Sequence, residues 1–492
     1  MTRHNPSPIT VVDFLGPGER DKRLIRRFAN DLKKRDGNWH KASRNPVELH
    51  ETIRRFSWGT HILMLGANDL PSDELVERLE HIAATHPTAD IIYGDAAIAA
   101  GERTKDLTPV FKPRWSPARL LHENFVGDAI LVRTAFFLSI AREELYFDEW
   151  DSWDFLLGSI RANARVHHDP AVWTIETRGT PSRVESGRLT RRGKGVSRAD
   201  FVNDHLKRVG SSRIVRELES TKFLEIVPLR TDQLPSHSFV TLTAGASDAA
   251  LNGGEPFIVT HLEAVRSHAS VSMDSHVVII GPECNPAVRQ SLIEIRGYPV
   301  ALVEVEGEFN FAARSNVGRQ YASSEILVFT NDDFVPTRSD WLSQLLAPFE
   351  DEKVGITGAT LLYEDGSVQH AGHKVIDGNF FHTHHALTPD DEGWERLVST
   401  NREVDAVTGA CLAIRLSVFD RVGGFFEGLP FNYNDVDLCM KVRSVGYHVV
   451  NVGVPVGVHY ESKTRPATVL PEEIDLFFRR WPERSETSEY PF

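Results

Sequence analysis

The sequence predicts an α/β protein with two similar units in tandem. Short apolar runs alternate with stretches of helical spacing, as at residues 60–66, 72–85 and 90–94. This alternation is typical of a mixed, mostly parallel sheet with helices on both faces. A second stretch of the same kind starts near residue 237. The length of 492 residues agrees with this division, because a domain usually has roughly 100–200 residues.

Three segments of the first half reappear in the same order in the second half. Residues 62–65 and the following Asn68 and Asp69 are similar to residues 326–329 and the following Asn331, Asp332 and Asp333. Residues 147–156 are similar to 425–438, and residues 169–172 to 454–457. The near-constant spacing predicts a duplicated domain. It aligns Asp69 with Asp333 and Thr174 with His459.

The periodicity predicts each element in turn. Strands are expected at 9–14, 60–66, 90–94, 222–230, 238–243, 276–281, 300–305, 325–330 and 447–452. Helices are expected at 19–35, 72–85, 199–209, 286–296, 312–322 and 339–349. The predicted domains are residues 1–178, a connector at 179–236, a second domain at 237–470 and a tail at 471–492.

The connector region is basic. Residues 178–198 carry seven Arg and Lys side chains against the single acid Glu185. A solvated linker is the preferred interpretation, and a patch for an anionic acceptor or a membrane surface is the alternative.

Composition excludes several classes of protein. The 55 Lys and Arg against 69 Asp and Glu give a formal net charge of −14, which disfavours a general nucleic-acid binder. Cys284, Cys411 and Cys439 form no C-x-x-C pair, so reduced thiols are expected. The first residues lack the apolar core of a signal peptide, so none is expected there, and the sequence has no run of 18 apolar residues. We therefore expect a cytoplasmic location with at most peripheral contact at the inner face of the membrane.

Two adjacent carboxylates end a predicted buried strand. Asp332 and Asp333 follow the apolar residues 326–329, and the carboxyl end of a strand borders the crevice where α/β sheets bind ligands. Paired acids there suit a hard divalent cation that holds a diphosphate. On these two residues alone, an Asx turn with a helix cap is the commoner explanation. Asp435, at a predicted helix start, is a candidate general base, and His459 is a candidate metal ligand.

A larger set of ordered motifs gives a specific resemblance. Residues 237–465 resemble inverting glycosyltransferases of the large family two, which have a GT-A fold, and are most similar to rhamnosyltransferase-like enzymes of surface polysaccharide synthesis. The motifs are residues 308–318, 329–333, 354–359, 368–372, 407–412, 423–425, 434–439 and 459–462. Residues 60–178 resemble the degenerate GT-A-like domain that often precedes such an enzyme.

The resemblance implies a role for each motif residue. Asp333 stands where the family binds its metal, with Asp332 beside it, and His459 stands where a late histidine reaches the metal or the diphosphate. Asp435 stands where the family has its general base. The nucleotide side would be lined by Arg314 and Asn316, and the sugar or acceptor side by Thr408 and Gly409.

The resemblance also implies ligands. The expected cofactor is Mn²⁺ or Mg²⁺. The expected donor is a UDP- or dTDP-sugar, and the expected acceptor is a glycan, a lipid-linked molecule or a protein. No nucleic-acid partner is expected.

Two departures from the family pattern keep other functions open. The first strand of the second unit lacks the usual proline, and Gly281 and Pro282 stand where the family often has an acid that contacts the nucleoside. Glu283 is the candidate replacement. An inactive GT-A scaffold that binds carbohydrate is therefore the main alternative. A glycoside hydrolase that uses Asp333 and Asp435 as an acid/base pair is another.

The sequence offers two further candidate sites. The first unit has poorer motifs, so a non-catalytic domain is favoured over a second active site using Asp69 and Asp154. Five histidines fall between residues 370 and 385, namely His370, His373, His382, His384 and His385. Zinc binding is one explanation for them. The loop spacing and the resemblance favour an acceptor-side loop.

Overall fold

The computed structural model divides into two units, one mainly of residues 1–210 and the other mainly of residues 225–488. We call them the N-terminal unit and the C-terminal unit. The structure describes residues 9–13, 22–34, 38–41, 45–56, 59–66, 69–99, 107–140, 150–177, 190–191, 194–217, 224–228, 234–248, 254–268, 275–294, 300–376, 379–388, 398–460 and 470–482.

The N-terminal unit contains an eight-stranded sheet. Across the sheet the strands run Asn38–Lys41, Ile9–Asp13, His61–Leu65, Ile130–Arg133, Ile91–Ala99, Val166–Thr177 and Asp69–Pro71, with Leu107–Val110 paired to Ile91–Ala99. Its described helices are Lys22–Lys34, Pro46–Phe56, Leu75–Thr85, Pro117–Leu120, Thr134–Ser139, Ser152–Arg161 and Arg198–Arg208.

The C-terminal unit contains a ten-stranded sheet. Across the sheet the strands run Val300–Glu304, Ser275–Ile280, His237–Thr243, Ile326–Asn331, Cys411–Arg415, Val354–Leu362, His448–His459 and Phe334–Pro336. Val368–His370 pairs with Val354–Leu362, and Arg402–Glu403 pairs with His448–His459. The described helices are Phe257–His268, Pro286–Glu294, Phe311–Arg319, Trp341–Leu346, the 3₁₀ helix Ala347–Glu350, Leu416–Arg421, Asn434–Ser444 and Pro471–Arg480.

Three short ladders complete the described strands. Thr190–Arg191 pairs with Lys194–Gly195, Arg213–Glu217 with Leu224–Pro228, and His373–Ile376 with Asn379–His382.

The two sheets share one topology. Ile9–Asp13 pairs parallel with His61–Leu65, and His237–Thr243 pairs in the same way with Ile326–Asn331. Each of these parallel layers then meets an antiparallel strand, Ile130–Arg133 in one unit and Cys411–Arg415 in the other. Even the irregularity recurs, because the register shifts between Gly94 and Asp95 and again between Ala359 and Thr360. The predicted α/β class and the expected equivalence of strands 60–66 and 325–330 are therefore confirmed.

Central strands are buried on both faces because helices cover both sides of the sheet. Every side chain of His237–Thr243 is buried. The main core of the C-terminal unit joins Val240, Ile279, Leu327, Phe329 and Leu412 to aromatic side chains of the surrounding helices. This rigid layer fixes the strand ends on which the candidate site stands. Among the described residues, no helix combines the length and the apolar character that crossing a bilayer requires.

Two predicted segments differ from the structure. The helix Arg198–Arg208, assigned to a connector, packs within the N-terminal unit, where Phe201 meets Trp153 edge-on at 5.2 Å. The predicted tail contains the helix Pro471–Arg480, which belongs to the C-terminal unit and buries Phe477. Most of the basic segment 178–198 lies outside the described residues, so its prediction as a linker stays a prediction.

Candidate active site

Strand pairing brings Asp333 and His459 together across 126 positions of sequence. Phe334–Pro336 pairs antiparallel with the end of His448–His459, with Phe334 opposite His459. The backbone N–H of Tyr460 donates to the carbonyl of Asp333 at 3.0 Å. As a result His459 Nε2 lies 3.1 Å from Asp333 Oδ1, and both side chains are buried.

The hydrogen bonds of His459 indicate its tautomer. Nδ1 lies 2.8 Å from Gln369 Oε1, and the Gln369 amide nitrogen donates back to the His459 carbonyl at 3.1 Å. An amide oxygen only accepts, so Nδ1 carries the proton and Nε2 keeps a lone pair. The Asn331 amide nitrogen lies 3.2 Å from that Nε2. Metal-binding histidines usually have such an oxygen acceptor on the opposite nitrogen.

The pair fits a divalent cation. Asp333 Oδ1 is buried and has no hydrogen-bond partner. It lies 3.1 Å from His459 Nε2, and with the proton on Nδ1 no hydrogen lies between these two atoms, so a positive charge beside them would stabilise the pair. A carboxylate oxygen and an imidazole nitrogen are ligands that Mn²⁺ accepts, and the carboxylate also suits Mg²⁺.

Asp332 is the second carboxylate at this strand end. Its Oδ2 accepts a hydrogen bond of 2.5 Å from the Thr243 hydroxyl. Burial, reinforced by the neighbouring charge of Asp333, raises the pKa of Asp332 to about 7. A nearby cation would favour its ionised form.

Asp435 lies in the first turn of the helix Asn434–Ser444 and is half-buried. Its Oδ2 accepts from the Gly409 N–H at 2.8 Å, and its Oδ1 accepts from the Val436 N–H at 2.8 Å. These bonds fix the carboxylate. Tyr433, just before the helix, has a left-handed φ of 59°, a conformation that costs about 1–3 kcal/mol for a non-glycine residue unless its surroundings hold it.

The turn at residues 408–410 joins the two parts of the site. The Asn331 N–H donates to the Ala410 carbonyl at 3.1 Å, and the Gly409 N–H binds Asp435. The Thr408 N–H donates to His370 Nε2 at 3.2 Å. The structure thus brings five predicted residues, Asp333, His459, Thr408, Gly409 and Asp435, into one connected network of backbone and side-chain contacts.

Arg314 and Asn316 have protein partners in this structure. The buried Arg314 guanidinium pairs with Glu283 and lies 4.9 Å above the Phe309 ring. This pairing lowers the pKa of Glu283. Both donors and the acceptor of the Asn316 amide hold Phe425 and Glu427. Asn316 therefore supports the Gly424–Phe425 turn, and the expected contact of either residue with a nucleotide stays a prediction.

The helix Pro471–Arg480 contributes residues that the sequence analysis did not identify. The buried Glu473 accepts from the N–H groups of Phe431 and Asn432 at 2.8 and 3.1 Å, and from the Asn432 amide at 2.7 Å. In return, Asp437 accepts from Arg480 at 2.8 Å and from the Trp481 indole at 2.9 Å. The one signal in the sequence was the amphipathic spacing of residues 471–480.

Strand register corrects the predicted alignment of the N-terminal unit. His61 pairs with Arg133 as Ile326 pairs with Arg415, which is an offset of 265 residues. Counted from there, Asp333 corresponds to Asn68, and Asp69 corresponds to Phe334. Asp69 pairs with Glu176 as Phe334 pairs with His459, so Glu176 takes the place expected for Thr174.

Asp435, the candidate base, aligns with a serine of the N-terminal unit. The offset of 283 residues between Glu176 and His459 also relates the helix ends Arg161 and Ser444. It places Ser152 at the position of Asp435 and Asp154 at that of Asp437. Asp69 instead closes a turn, since its Oδ2 accepts from the Gly66 N–H at 2.7 Å.

The chain is similar to one described protein family and to two curated proteins. Residues 283–465 match the model of a family described as "Glycosyltransferase like family". The uncharacterized protein y4gI of Sinorhizobium fredii is 28% identical over 484 residues, which are 93% of this chain and 49% of that protein. The O-antigen biosynthesis protein RfbC of Myxococcus xanthus is 25% identical over 425 residues, which are 84% of this chain and 32% of that protein. The chain thus spans half or less of the length of these curated relatives.

Two solved structures show partial similarity to this chain. GalNAc-T7 with UDP, GalNAc and Mn²⁺ has a TM-score of 0.40 at 16% identity, over 55% of this chain and 51% of that chain. The mannosyltransferase PcManGT of Pyrobaculum calidifontis, in complex with GDP-Man and Mn²⁺, has a TM-score of 0.34 at 17% identity, over 52% and 64% of the two chains.

Proposed function

We propose that this chain is a metal-assisted inverting glycosyltransferase that moves a sugar from a nucleotide-diphosphate sugar to a glycan or another surface acceptor. The observation that carries the proposal is the buried Asp333 Oδ1, which accepts no hydrogen bond and lies 3.1 Å from His459 Nε2. It lies within the region that matches the glycosyltransferase-like family and is connected to Asp435 through the 408–410 turn.

Asp333 and His459 would hold the cation, with Asp332 beside them. A divalent ion at this place would offset the negative charge that develops on the diphosphate as it leaves. Gln369 Oε1 accepts a hydrogen bond from Nδ1, which keeps the proton on that nitrogen and leaves Nε2 unprotonated. Thr243 holds Asp332 in a fixed orientation.

Asp435 would act as the general base. Its two backbone hydrogen bonds hold the carboxylate in place, and the remaining lone pairs of its oxygens can accept a proton. The acceptor hydroxyl would lose its proton to Asp435 while its oxygen attacks the anomeric carbon from the side opposite the diphosphate. One displacement inverts the anomeric centre, and no covalent intermediate with the protein is needed.

The similar sequences and the strand ends guide the choice of proposed substrates. The name of the RfbC relative indicates O-antigen biosynthesis, which agrees with a surface polysaccharide acceptor. Rhamnose is one candidate for the transferred sugar, and UDP or dTDP is the candidate nucleotide. Arg314 and Glu283 are the proposed nucleotide-side groups, because their pair lies directly after the strand Ser275–Ile280.

The N-terminal unit is proposed to be non-catalytic and to serve acceptor binding or assembly. Glu176 stands at the position of His459, and counting residues from the paired strands aligns Asn68 with Asp333 and Ser152 with Asp435. An inactive scaffold remains the second candidate for the whole chain, favoured by the Gly281 and Pro282 that stand where the family often has an acid.

Calorimetry with UDP, dTDP and GDP separates these candidates. The transferase should bind at least one of these nucleotides in the presence of Mn²⁺, and the binding should weaken at least about tenfold without the ion. Asp333→Ala should abolish the manganese dependence, whereas Asp420→Ala, an exposed acid paired with Arg319, should not. A wild-type chain that binds none of the three nucleotides would favour the inactive scaffold.

A further inference from the structure

We infer that His370, His373 and His382 form a second metal site, suited to Zn²⁺ or a similar transition-metal ion. This site is distinct from Asp333 and His459 and goes beyond the proposed transfer reaction.

The local chain path gathers the three rings. His370 ends the strand Val368–His370, and Gly372, at a φ of 91°, turns the chain so that His373 opens the next strand. A Cβ on Gly372 would come within 2.7 Å of Val404, so the tight turn needs glycine. His373 then pairs directly with His382 across the ladder His373–Ile376 with Asn379–His382. Cross-strand partners point to the same face, which puts these two imidazoles together.

The rings are close enough to share an ion. One ligand nitrogen from each histidine lies within 4.8 Å of the other two. The ring centres of His373 lie 4.8 Å from His370 and 4.4 Å from His382. Nitrogen ligands of tetrahedral zinc lie ~2.0–2.1 Å from the ion, so the nitrogens must come together by roughly 1 Å. His382 is exposed and has the freedom to close that gap.

A second observation points to a ligand. His373 is only 7% exposed, and its Nδ1 is buried without a hydrogen-bond partner. A buried polar nitrogen left unpaired costs about 1–3 kcal/mol, which metal coordination would recover. Burial also lowers the pKa of His370 and of His373 well below the usual value. Neutral imidazole is the form that binds metals.

The contact between His370 and His382 shows what an ion would displace. The Nδ1 atoms of His370 and His382 lie 2.8 Å apart and share one proton. An ion at this point would replace that proton, and the proton of His370 would have to reside on Nε2. The bond from the Thr408 N–H to His370 Nε2 would then open. Loading of this site is therefore coupled to the turn that also holds Asp435.

The test counts ions and uses no transfer assay. The full chain carrying Asp333→Ala, which removes the other proposed site, is stripped with a chelator and titrated with ZnCl₂ or CoCl₂. We expect about one ion per chain to survive gel filtration, and Co²⁺ to give the visible spectrum of a tetrahedral nitrogen site. Failure of the proposed transferase function would leave this result unchanged.

Added substitutions locate the ion. His382→Ala changes an exposed side chain and should weaken zinc binding at least about tenfold without unfolding the chain. His385→Ala is the matched control, because that exposed histidine lies in the same segment and contacts Tyr363. A parent chain that retains no ion, or a His382→Ala chain that binds zinc as tightly as the parent, would overturn the inference.

Discussion

The Asp435 carboxylate is held by two backbone amides and remains half-exposed. A group held in this way can accept a proton without having to reorganise. A Cβ on Gly409, one of the two donors, would lie 3.5 Å from Asp435 Cβ, so the turn packs in ordinary van der Waals contact with the proposed base.

Asp435→Asn keeps the shape of the side chain and removes the proton acceptor. We expect single-turnover transfer at saturating donor to fall by ~10²–10⁴-fold, because general bases usually contribute that much. Donor and metal binding should stay nearly unchanged by calorimetry. Glu427→Gln is the control, since this exposed acid lies near the site and holds Asn316. If Asp435→Asn kept more than about a tenth of the wild-type rate, the base would have to be another group.

Asp437, two residues later, has a different role. Its fully buried carboxylate accepts from Arg480 and from the Trp481 indole. Asp437→Asn should therefore lower the free energy of unfolding by about 1.5–3 kcal/mol, the value typical of hydrogen bonds to a charged group. Denaturant unfolding measures this change. Asp420→Asn, which breaks an exposed pair with Arg319, should cost no more than about 1 kcal/mol. Equal losses in the two variants would refute the structural role of Asp437.

At the scale of elements, the helices Asn434–Ser444 and Pro471–Arg480 are joined by reciprocal hydrogen bonds. Glu473 of Pro471–Arg480 binds the backbone that leads into Asn434–Ser444, and Asp437 returns the contact. The ring of Tyr433 stacks on Phe477 at 4.8 Å, which supports the left-handed residue before the Asp435 helix. The C-terminal helix thereby positions the proposed base through protein contacts.

Glu473→Ala removes three hydrogen bonds from this loop. We expect kcat to fall by about tenfold or more while nucleotide and metal binding persist, because the diphosphate side of the site is held by other strands. Glu472→Gln, an exposed neighbour on the same helix, is the control. Should Glu473→Ala lose nucleotide binding together with kcat, the helix would have a general folding role and no specific positioning role.

The elements show what the sequence could and could not predict. The apolar run predicted the buried strand at residues 326–331. The motif residues predicted the site at Asp332 and Asp333, which follow that strand. The Gln369 contact with His459 and the Glu473 contacts depend on pairing across 90 and about 41 positions. No local pattern encodes such distances. For the same reason the tail prediction missed a helix that is held by tertiary contacts.

At the scale of the whole molecule, the duplicated sheet allows equivalent positions of the two units to be compared. That comparison is the basis for proposing that the N-terminal unit is non-catalytic. The sequence predicts the repeat, but it aligns Asp69 with Asp333, whereas the strand pairing aligns Asp69 with Phe334, one residue later. Only the pairing of His61 with Arg133 and of Ile326 with Arg415 sets the register, because a shift of one residue exchanges the two faces of a strand.

Asp69→Ala tests this assignment. The side chain caps a turn in the N-terminal unit, so the substitution should reduce stability modestly and leave kcat within about twofold of wild type. Steady-state transfer measures kcat, and thermal unfolding is the control for stability. A loss of turnover comparable to that of Asp435→Asn would mean that the N-terminal unit takes part in catalysis.

The measurement that tests the central claim most directly is release of nucleoside diphosphate from a panel of nucleotide sugars, with and without Mn²⁺. The wild-type chain should release diphosphate from at least one donor only when the ion is present, and Asp333→Ala should reduce the rate by at least about 10²-fold. A chain that turns over no nucleotide sugar, or an Asp333→Ala variant as active as the wild type, would contradict the account.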